Sequence, residues 1–211
     1  MTRKFLFVDD HAVVRASFTK ILTEPFNPVE VDEAGNGEEA IAKIKKEHFD
    51  LVLMDVQMPQ TDTLGLVEYI INRSPGTKIL MLSMAPENIH AQRYLKAGAS
   101  GYISKQASLD EVITAIDLIL LGKKYLSAAL TDDILADSFV GKKGVSNPFK
   151  KLSRREFEIV TLLLQGTSLT DISTILNVAI STAGTHKSRL MEKLNVSNLM
   201  ELKNIAMVYD L

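Results

Sequence analysis

Apolar residues in the first half of this chain fall in short unbroken runs separated by amphipathic stretches. Phe5-Leu6-Phe7-Val8, Leu51-Val52-Leu53-Met54 and Ile79-Leu80-Met81-Leu82 are runs of four, and Val29-Glu30-Val31 and Gly101-Tyr102-Ile103-Ser104 are shorter and more mixed. Continuous apolar runs of this length suit strands covered on both faces. Between them, residues 13–22 place Val14, Phe18, Ile21 and Leu22 on one helical face, and residues 38–47, 64–72, 88–96 and 109–121 follow a similar rhythm. Gly35-Asn36-Gly37, Ser74-Pro75-Gly76, Gly98 and Gly122 punctuate these segments. Five strands alternating with five helices predict an α/β, doubly wound, five-stranded parallel sheet. After Tyr125 the pattern weakens: residues 131–139 predict a short helix and 140–148, rich in Gly, Lys, Ser, Asn and Pro, a linker. From Leu152 onward the texture is helical only, with segments at 154–165, 169–176, 181–194 and 199–208. These predict a second, small all-α domain.

Composition narrows the function classes. With 211 residues the chain has room for two small cores. Having no cysteine excludes disulfides, thiolate zinc sites and a cysteine nucleophile. The first apolar run is cut off by Asp9 and Asp10, too early for a signal-peptide core, and Asp117 interrupts the longest apolar stretch. A soluble cytoplasmic protein without a membrane segment is expected. Charge divides unevenly: residues 149–211 carry eight Lys/Arg against six Asp/Glu, the remainder sixteen against twenty. The C-terminal part is mildly basic and the N-terminal part mildly acidic.

In an open parallel sheet the working crevice lies beyond the carboxyl ends of the strands. Asp9 and Asp10 follow the first predicted strand, Asp55 the third, Ser83 the fourth and Lys105 the fifth. Clustered carboxylates repel one another and favour a cation. With oxygen ligands only, and no His or Cys expected among them, the cation should be hard, which points to magnesium. A lysine and a hydroxyl beside that site suit a phosphoryl group, and Asp55 can serve as the nucleophile that forms an acyl phosphate. Taken singly, an Asp after a strand is more often a turn or helix-cap residue; the ordered set carries the argument.

Phe7-Val8-Asp9-Asp10-His11, Asp55-Val56-Gln57-Met58-Pro59, Ser83 and Gly98-Ala99-Ser100-Gly101-Tyr102-Ile103-Ser104-Lys105 resemble, in order, the motifs of response-regulator receivers, a flavodoxin-like fold. The resemblance covers residues 1–125 and implies a set of roles. Asp55 is the phosphoacceptor for a sensor histidine kinase. Asp10 and Asp55 hold Mg2+, Asp9 helps through water, and the backbone carbonyl of Gln57 adds a ligand. Lys105 contacts the phosphoryl oxygens, Ser83 moves toward them, and Tyr102 changes rotamer. Two positions depart from the family pattern. Thr63 stands where Gly is usual, so the loop before it is expected to be reshaped if a positive φ is required. Gln106 stands where Pro often follows the lysine, so the peptide bond there is expected to be trans.

In the C-terminal part, Ser153 with Glu156 three residues on reads as a capping box, and Gly166 ends that helix. A short helix, a tight turn near Asn177-Val178-Ala179 and a longer polar helix with His186, Lys187, Arg189 and Lys193 form a helix-turn-helix pattern. Any small bundle gives similar periodicity, and basic residues on a helix are usually a solvated face. Leu152-Ser153-Arg154-Arg155-Glu156, Gly166, Asp171-Ile172, Thr182, Thr185-His186-Lys187 and Glu192-Lys193-Leu194 resemble the LuxR-type domain of NarL/FixJ regulators over 149–211, with 126–148 as linker. The resemblance implies binding of double-stranded DNA through a recognition helix at 181–193, with Thr182, Gly184, Thr185, Lys187, Ser188 and Arg189 at the interface. It implies a homodimer through Leu199, Leu202, Ile205 and Ala206, with RNA polymerase as a further candidate partner. Ala183-Gly184 replaces the usual Val-Lys, Leu169 the usual Asn and Ala179 a usual polar cap, so base readout falls to Thr185, Ser188 and Arg189.

These readings converge on a two-component transcription regulator that is not an enzyme beyond phosphoryl acceptance and slow self-dephosphorylation at Asp55. Two rivals stand beside it: a protein-binding regulator that no longer reads promoters, motivated by Gly184 and Leu169, and a magnesium-dependent phosphohydrolase, for which no substrate-pocket signature is visible.

Overall fold

A computed structural model describes residues 2–84, 87–128, 130–131, 147–209 and 211, without the side chains of 87–90. Beyond Thr131, the helix expected at 131–139 and most of the linker expected at 140–148 lie outside the described residues. The chain divides into two compact units, the first holding residues 1–58 and 63–135 and the second residues 59–62 and 136–211.

The first unit alternates β1 (Arg3–Val8), α1 (Ala12–Thr23), β2 (Val29–Ala34), α2 (Gly37–Lys46), β3 (Leu51–Asp55), α3 (Thr63–Arg73), β4 (Lys78–Ser83), α4 (Glu87–Ala97), β5 (Gly101–Ser104) and α5 (Leu109–Leu120). All five strands are parallel, in the order β2-β1-β3-β4-β5. The unbroken apolar runs serve two cores because successive side chains point to opposite faces. Leu6, Val8, Val52, Met54, Ile79, Met81 and Tyr102 pack on one face with residues of α2, α3 and α4. Phe5, Phe7, Leu51, Leu53, Leu80, Leu82 and Ile103 pack on the other with Leu22 of α1 and Val112, Ala115, Ile116 and Ile119 of α5. Each such buried side chain contributes about 1.5–3 kcal/mol relative to exposure, so a polar residue placed mid-strand would be costly on either face.

Helix ends follow local chemistry. The Asn36 side chain accepts from the Glu39 N–H and the Ser108 side chain from the Glu111 N–H, capping α2 and α5. Gly98 closes α4 at φ +114°, where a Cβ would sit 2.9 Å from Ile71 Cγ1, so no side chain fits that turn. Thr63 does not take a positive φ: it is buried as the first residue of α3, and the positive φ in the loop before it, 55°, falls on Gln60. Among the described residues the only cis peptide bond is Asn27-Pro28, so the bond after Lys105 is trans as expected.

The second unit is helical: a 3-10 turn at Pro148–Lys151, then α6 (Arg154–Leu164), α7 (Leu169–Ile175), α8 (Ile180–Leu194) and α9 (Leu199–Val208). The capping box at α6 is present: Ser153 N–H donates to Glu156 Oε2 at 2.7 Å, and Glu156 N–H donates back to Ser153 Oγ at 3.4 Å. Ser168 caps α7 and Asn198 caps α9, whereas Ala179 leaves α8 without a side-chain cap. Phe149, Phe157, Ile159, Val160, Ile172, Ala183, Leu190, Leu194, Leu202 and Ala206 are buried in this unit.

Candidate functional site

The strand order itself builds the first site. The chain reverses direction across the sheet between β1 and β3, and Val8 stands beside Met54 in register. The residues that follow, Asp9 and Asp55, therefore emerge side by side at the rim. Both are buried, at 0% and 3% exposure. Lys105, one residue past β5, reaches across to them: its Nζ lies 2.7 Å from Asp9 Oδ2 and 2.8 Å from Asp55 Oδ2. Its backbone N–H donates to the Ser83 carbonyl at 2.7 Å, which holds the end of β4 in the same cluster. Ser83 is fully buried there.

Each remaining oxygen has a defined surrounding. Asp9 Oδ1 accepts the His11 N–H at 2.8 Å, so both Asp9 oxygens are engaged. Asp55 Oδ1 accepts the Gln57 N–H at 3.2 Å. Asp10 Oδ1 is shielded from solvent and accepts no hydrogen bond, although His11 Nδ1 stands 2.9 Å from it. An atom of that kind suits a cation. Asp9, Asp10, His11 and Asp55 each offer a ligand atom within 4.8 Å of the others. His11 corrects the expectation of a pocket without histidine: it belongs to the cluster, its Nδ1 also 3.2 Å from Asp9 Oδ1. Arg15 was likewise not anticipated. One turn into α1, it donates to the Asp9 carbonyl at 2.5 Å and to Glu33 Oε2 at 3.3 Å.

The electrostatics follow from burial. Desolvation pushes the Asp55 carboxyl above its ordinary range and the charge of Asp9 adds to this, against the opposing pull of Lys105 and the Gln57 N–H. Burial alone would lower the Lys105 ammonium, but its bonds to Asp55 and Asp9 prevail and hold it above its ordinary value. The result is a buried carboxylate with one cation in contact and a neighbouring open carboxylate. Tyr102, on β5, points inward at 0% exposure, its ring 6.3 Å from that of Tyr94 on α4.

The second site is the outer face of α8. Thr182, Thr185, Ser188 and Arg189 are exposed there and Lys187 is partly exposed. Thr185 Oγ1 donates to the Ser181 carbonyl at 2.9 Å and Ser188 Oγ to the Gly184 carbonyl at 3.1 Å. Leu169 and Gly184, two separate departures in the sequence, are neighbours in space: a Cβ on Gly184 would lie 3.8 Å from Leu169 Cδ2. On α9 the expectation needs correcting. Leu202 and Ala206 are 0% and 1% exposed, turned into the unit's own core, so neither is available to a partner. The apolar residues that α9 exposes are Leu199, Met200, Met207 and Val208, and Ile205 is partly exposed.

Residues 5–117 match the response regulator receiver domain, and residues 150–206 match the bacterial regulatory proteins of the luxR family. The chain belongs to the two-component response regulators of the NarL/FixJ type, transcription regulators that join a receiver to a LuxR-type helix-turn-helix. It is 35% identical to the oxygen regulatory protein NreC of Staphylococcus carnosus over 97% of this chain and 96% of that protein. It is 33% identical to the response regulator UvrY of Escherichia coli over 98% and 94%. Among solved structures, RcsB of Salmonella typhimurium aligns over the full length of both chains with a TM-score of 0.81 at 26% identity. RcsB of Salmonella enterica bound to the rprA promoter with the phosphomimetic BeF3- aligns over 97% and 98% with a TM-score of 0.78 at 25% identity. No helix among the described residues is long and apolar enough to cross a membrane.

Proposed function

We propose that Asp55 accepts a phosphoryl group from a sensor histidine kinase and that this modification controls DNA binding by a dimer of the chain in the cytoplasm. In that transfer an Asp55 oxygen forms a bond to phosphorus as the bond from phosphorus to the kinase histidine nitrogen breaks. Asp10, Asp55 and the Gln57 carbonyl would hold Mg2+, with Asp9 acting through water. The ion supplies neutralisation of phosphoryl oxygens and of the clustered carboxylates. Lys105 pairs with a phosphoryl oxygen in place of the Asp55 carboxylate, and Ser83 donates to another. Tyr102 changes rotamer as Ser83 shifts. Water later cleaves the acyl phosphate slowly, the only turnover of this chain. The observation that carries the reading is the Lys105 ammonium held between Asp9 and Asp55 at 2.7 and 2.8 Å.

In this reading residues 1–125 form the receiver, 126–148 the linker and 149–211 the DNA-binding domain. Thr182, Gly184, Thr185, Lys187, Ser188 and Arg189 of the recognition helix face double-stranded DNA, and RNA polymerase is a further candidate partner. The exposed Leu199, Met200, Met207 and Val208, with Ile205, form the dimer surface. Phosphorylation shifts a population toward dimers, which place two recognition helices about one DNA turn apart. Sedimentation velocity on the full chain and on Asp55→Ala, each with and without acetyl phosphate and Mg2+, tests this. A shift to dimers in the wild type alone is expected; equal behaviour of the two proteins would contradict it.

A further inference from the structure

We infer that the centre of the recognition helix selects A·T base pairs, reading the thymine methyl with an apolar spot made by Leu169 and Gly184 and rejecting guanine. The inference rests on the reading of α8 as the DNA-contacting helix and adds what that helix recognises.

Three observations carry it. First, Gly184 is partly exposed in the middle of the face and bears no side chain, and Leu169, also partly exposed, lies beside it with Cδ2 3.8 Å from the place of the missing Cβ. A polar or cationic group is absent from this point, and a branched alkyl group stands next to it. Second, the two hydroxyls flanking Gly184 on the outer face turn their protons to backbone carbonyls. Thr185 donates to the Ser181 carbonyl and Ser188 to the Gly184 carbonyl, so in this arrangement their outward lone pairs accept. Third, Ile180 at the helix start is 51% exposed and extends the apolar character of this end.

The major-groove edge of guanine offers two acceptors, N7 and O6. Facing Thr185 and Ser188, it meets acceptors with acceptors, and gains a hydrogen bond only where a hydroxyl gives up its bond to the helix backbone. Adenine offers the N6 amino group as a donor to those lone pairs, and its thymine partner offers a methyl group to the Leu169–Gly184 spot. Cytosine offers an amino donor but no methyl. Arg189, exposed further along the helix, keeps the ability to pair with a guanine at a flanking position.

The test is selection of duplexes from a randomised library by the phosphorylated full chain and by Gly184→Lys, followed by thymine-to-uracil replacement in the selected duplex. A lysine at 184 would supply the missing donor, so the base pair under residue 184 is the position at which this variant changes preference to G·C. The wild type is expected to select A·T at that position, and uracil there is expected to weaken binding roughly fourfold, the value of one methyl buried. A wild-type preference for G·C at that position, no position that responds to Gly184→Lys, or unchanged affinity with uracil would each overturn the inference while leaving DNA binding intact. Failure of the wild type to enrich any sequence would overturn the DNA-binding reading and the inference with it.

Discussion

Asp55 and Lys105, at the ends of two strands that are not neighbours in the sheet, meet with Oδ2 and Nζ 2.8 Å apart. The ammonium offsets the cost of burying that carboxylate and also engages Asp9. Removing it in Lys105→Met leaves two buried carboxylates without a cation. A loss of about 3 kcal/mol is expected at neutral pH in the absence of divalent cations. Asp55 already titrates above its ordinary value, so the folded state binds its proton more tightly than the unfolded state does. Its contribution to stability is full below the ordinary value and is lost as pH rises through the raised one. The variant is therefore expected to recover stability on acidification, and added Mg2+ should restore it more than it helps the wild type. Urea unfolding across pH with and without Mg2+ measures both effects.

Glu156 titrates in the opposite sense. Burial alone would raise it, but Lys193 Nζ at 2.7 Å and the Ser153 bonds of the capping box outweigh burial and hold it below its ordinary range. A carboxylate lowered in the folded state contributes stability that is present above the unfolded value and lost as pH falls through the folded one. Glu156→Gln is expected to cost about 1–2 kcal/mol at pH 7. The gap to the wild type should close as acid protonates Glu156, below the ordinary value of 4.5. Denaturant titrations in acid and at neutral pH give the comparison.

Two glycines should respond to alanine in opposite directions. At Gly184 a Cβ meets Leu169 Cδ2 at an ordinary 3.8 Å, so Gly184→Ala is expected to stabilise the chain by up to about 1 kcal/mol through helix propensity. At Gly101 a Cβ would lie 2.8 Å from Ile119 Cδ1 and 3.1 Å from the Tyr125 carbonyl, so Gly101→Ala is expected to cost about 2 kcal/mol by overpacking. Thermal denaturation of the two variants settles the signs.

The two faces of α9 separate folding from association. Leu202 is fully buried, and Leu202→Ala is expected to destabilise the chain by about 2–4 kcal/mol through a cavity. Met207 is 73% exposed, and Met207→Ser should change stability by less than about 0.5 kcal/mol while weakening the phosphorylated dimer. Unfolding curves and sedimentation equilibrium on both variants check this; a dimer untouched by Met207→Ser would remove this surface from the account.

The sheet was legible because strands buried on both faces leave unbroken apolar runs, as Leu51 to Met54 shows, and because helix caps such as Ser153 with Glu156 have a fixed spacing. The rim residues were legible for the same reason: a polar residue directly after an apolar run must emerge at a strand end. What periodicity could not decide was α9, where Leu199, Met200, Leu202, Ile205, Ala206, Met207 and Val208 surround the helix and leave no polar face to mark the outside. His11 stands in the first motif, but its place among the ligand atoms depends on how α1 departs from β1, not on its own residue type. The pairing of Leu169 with Gly184 joins two helices and leaves no trace in local spacing; two apparent defects in the recognition motif are one packing arrangement.

The account depends on one carboxylate at the rim of the sheet taking up phosphate with a divalent cation beside it. Intact-mass spectrometry of the full chain and of Asp55→Asn, after incubation with acetyl phosphate with and without Mg2+, addresses this directly. One added phosphoryl group in the wild type, dependent on Mg2+ and absent from Asp55→Asn, is the expected result. Equal labelling of the two proteins, or labelling of the wild type indifferent to Mg2+, would contradict it.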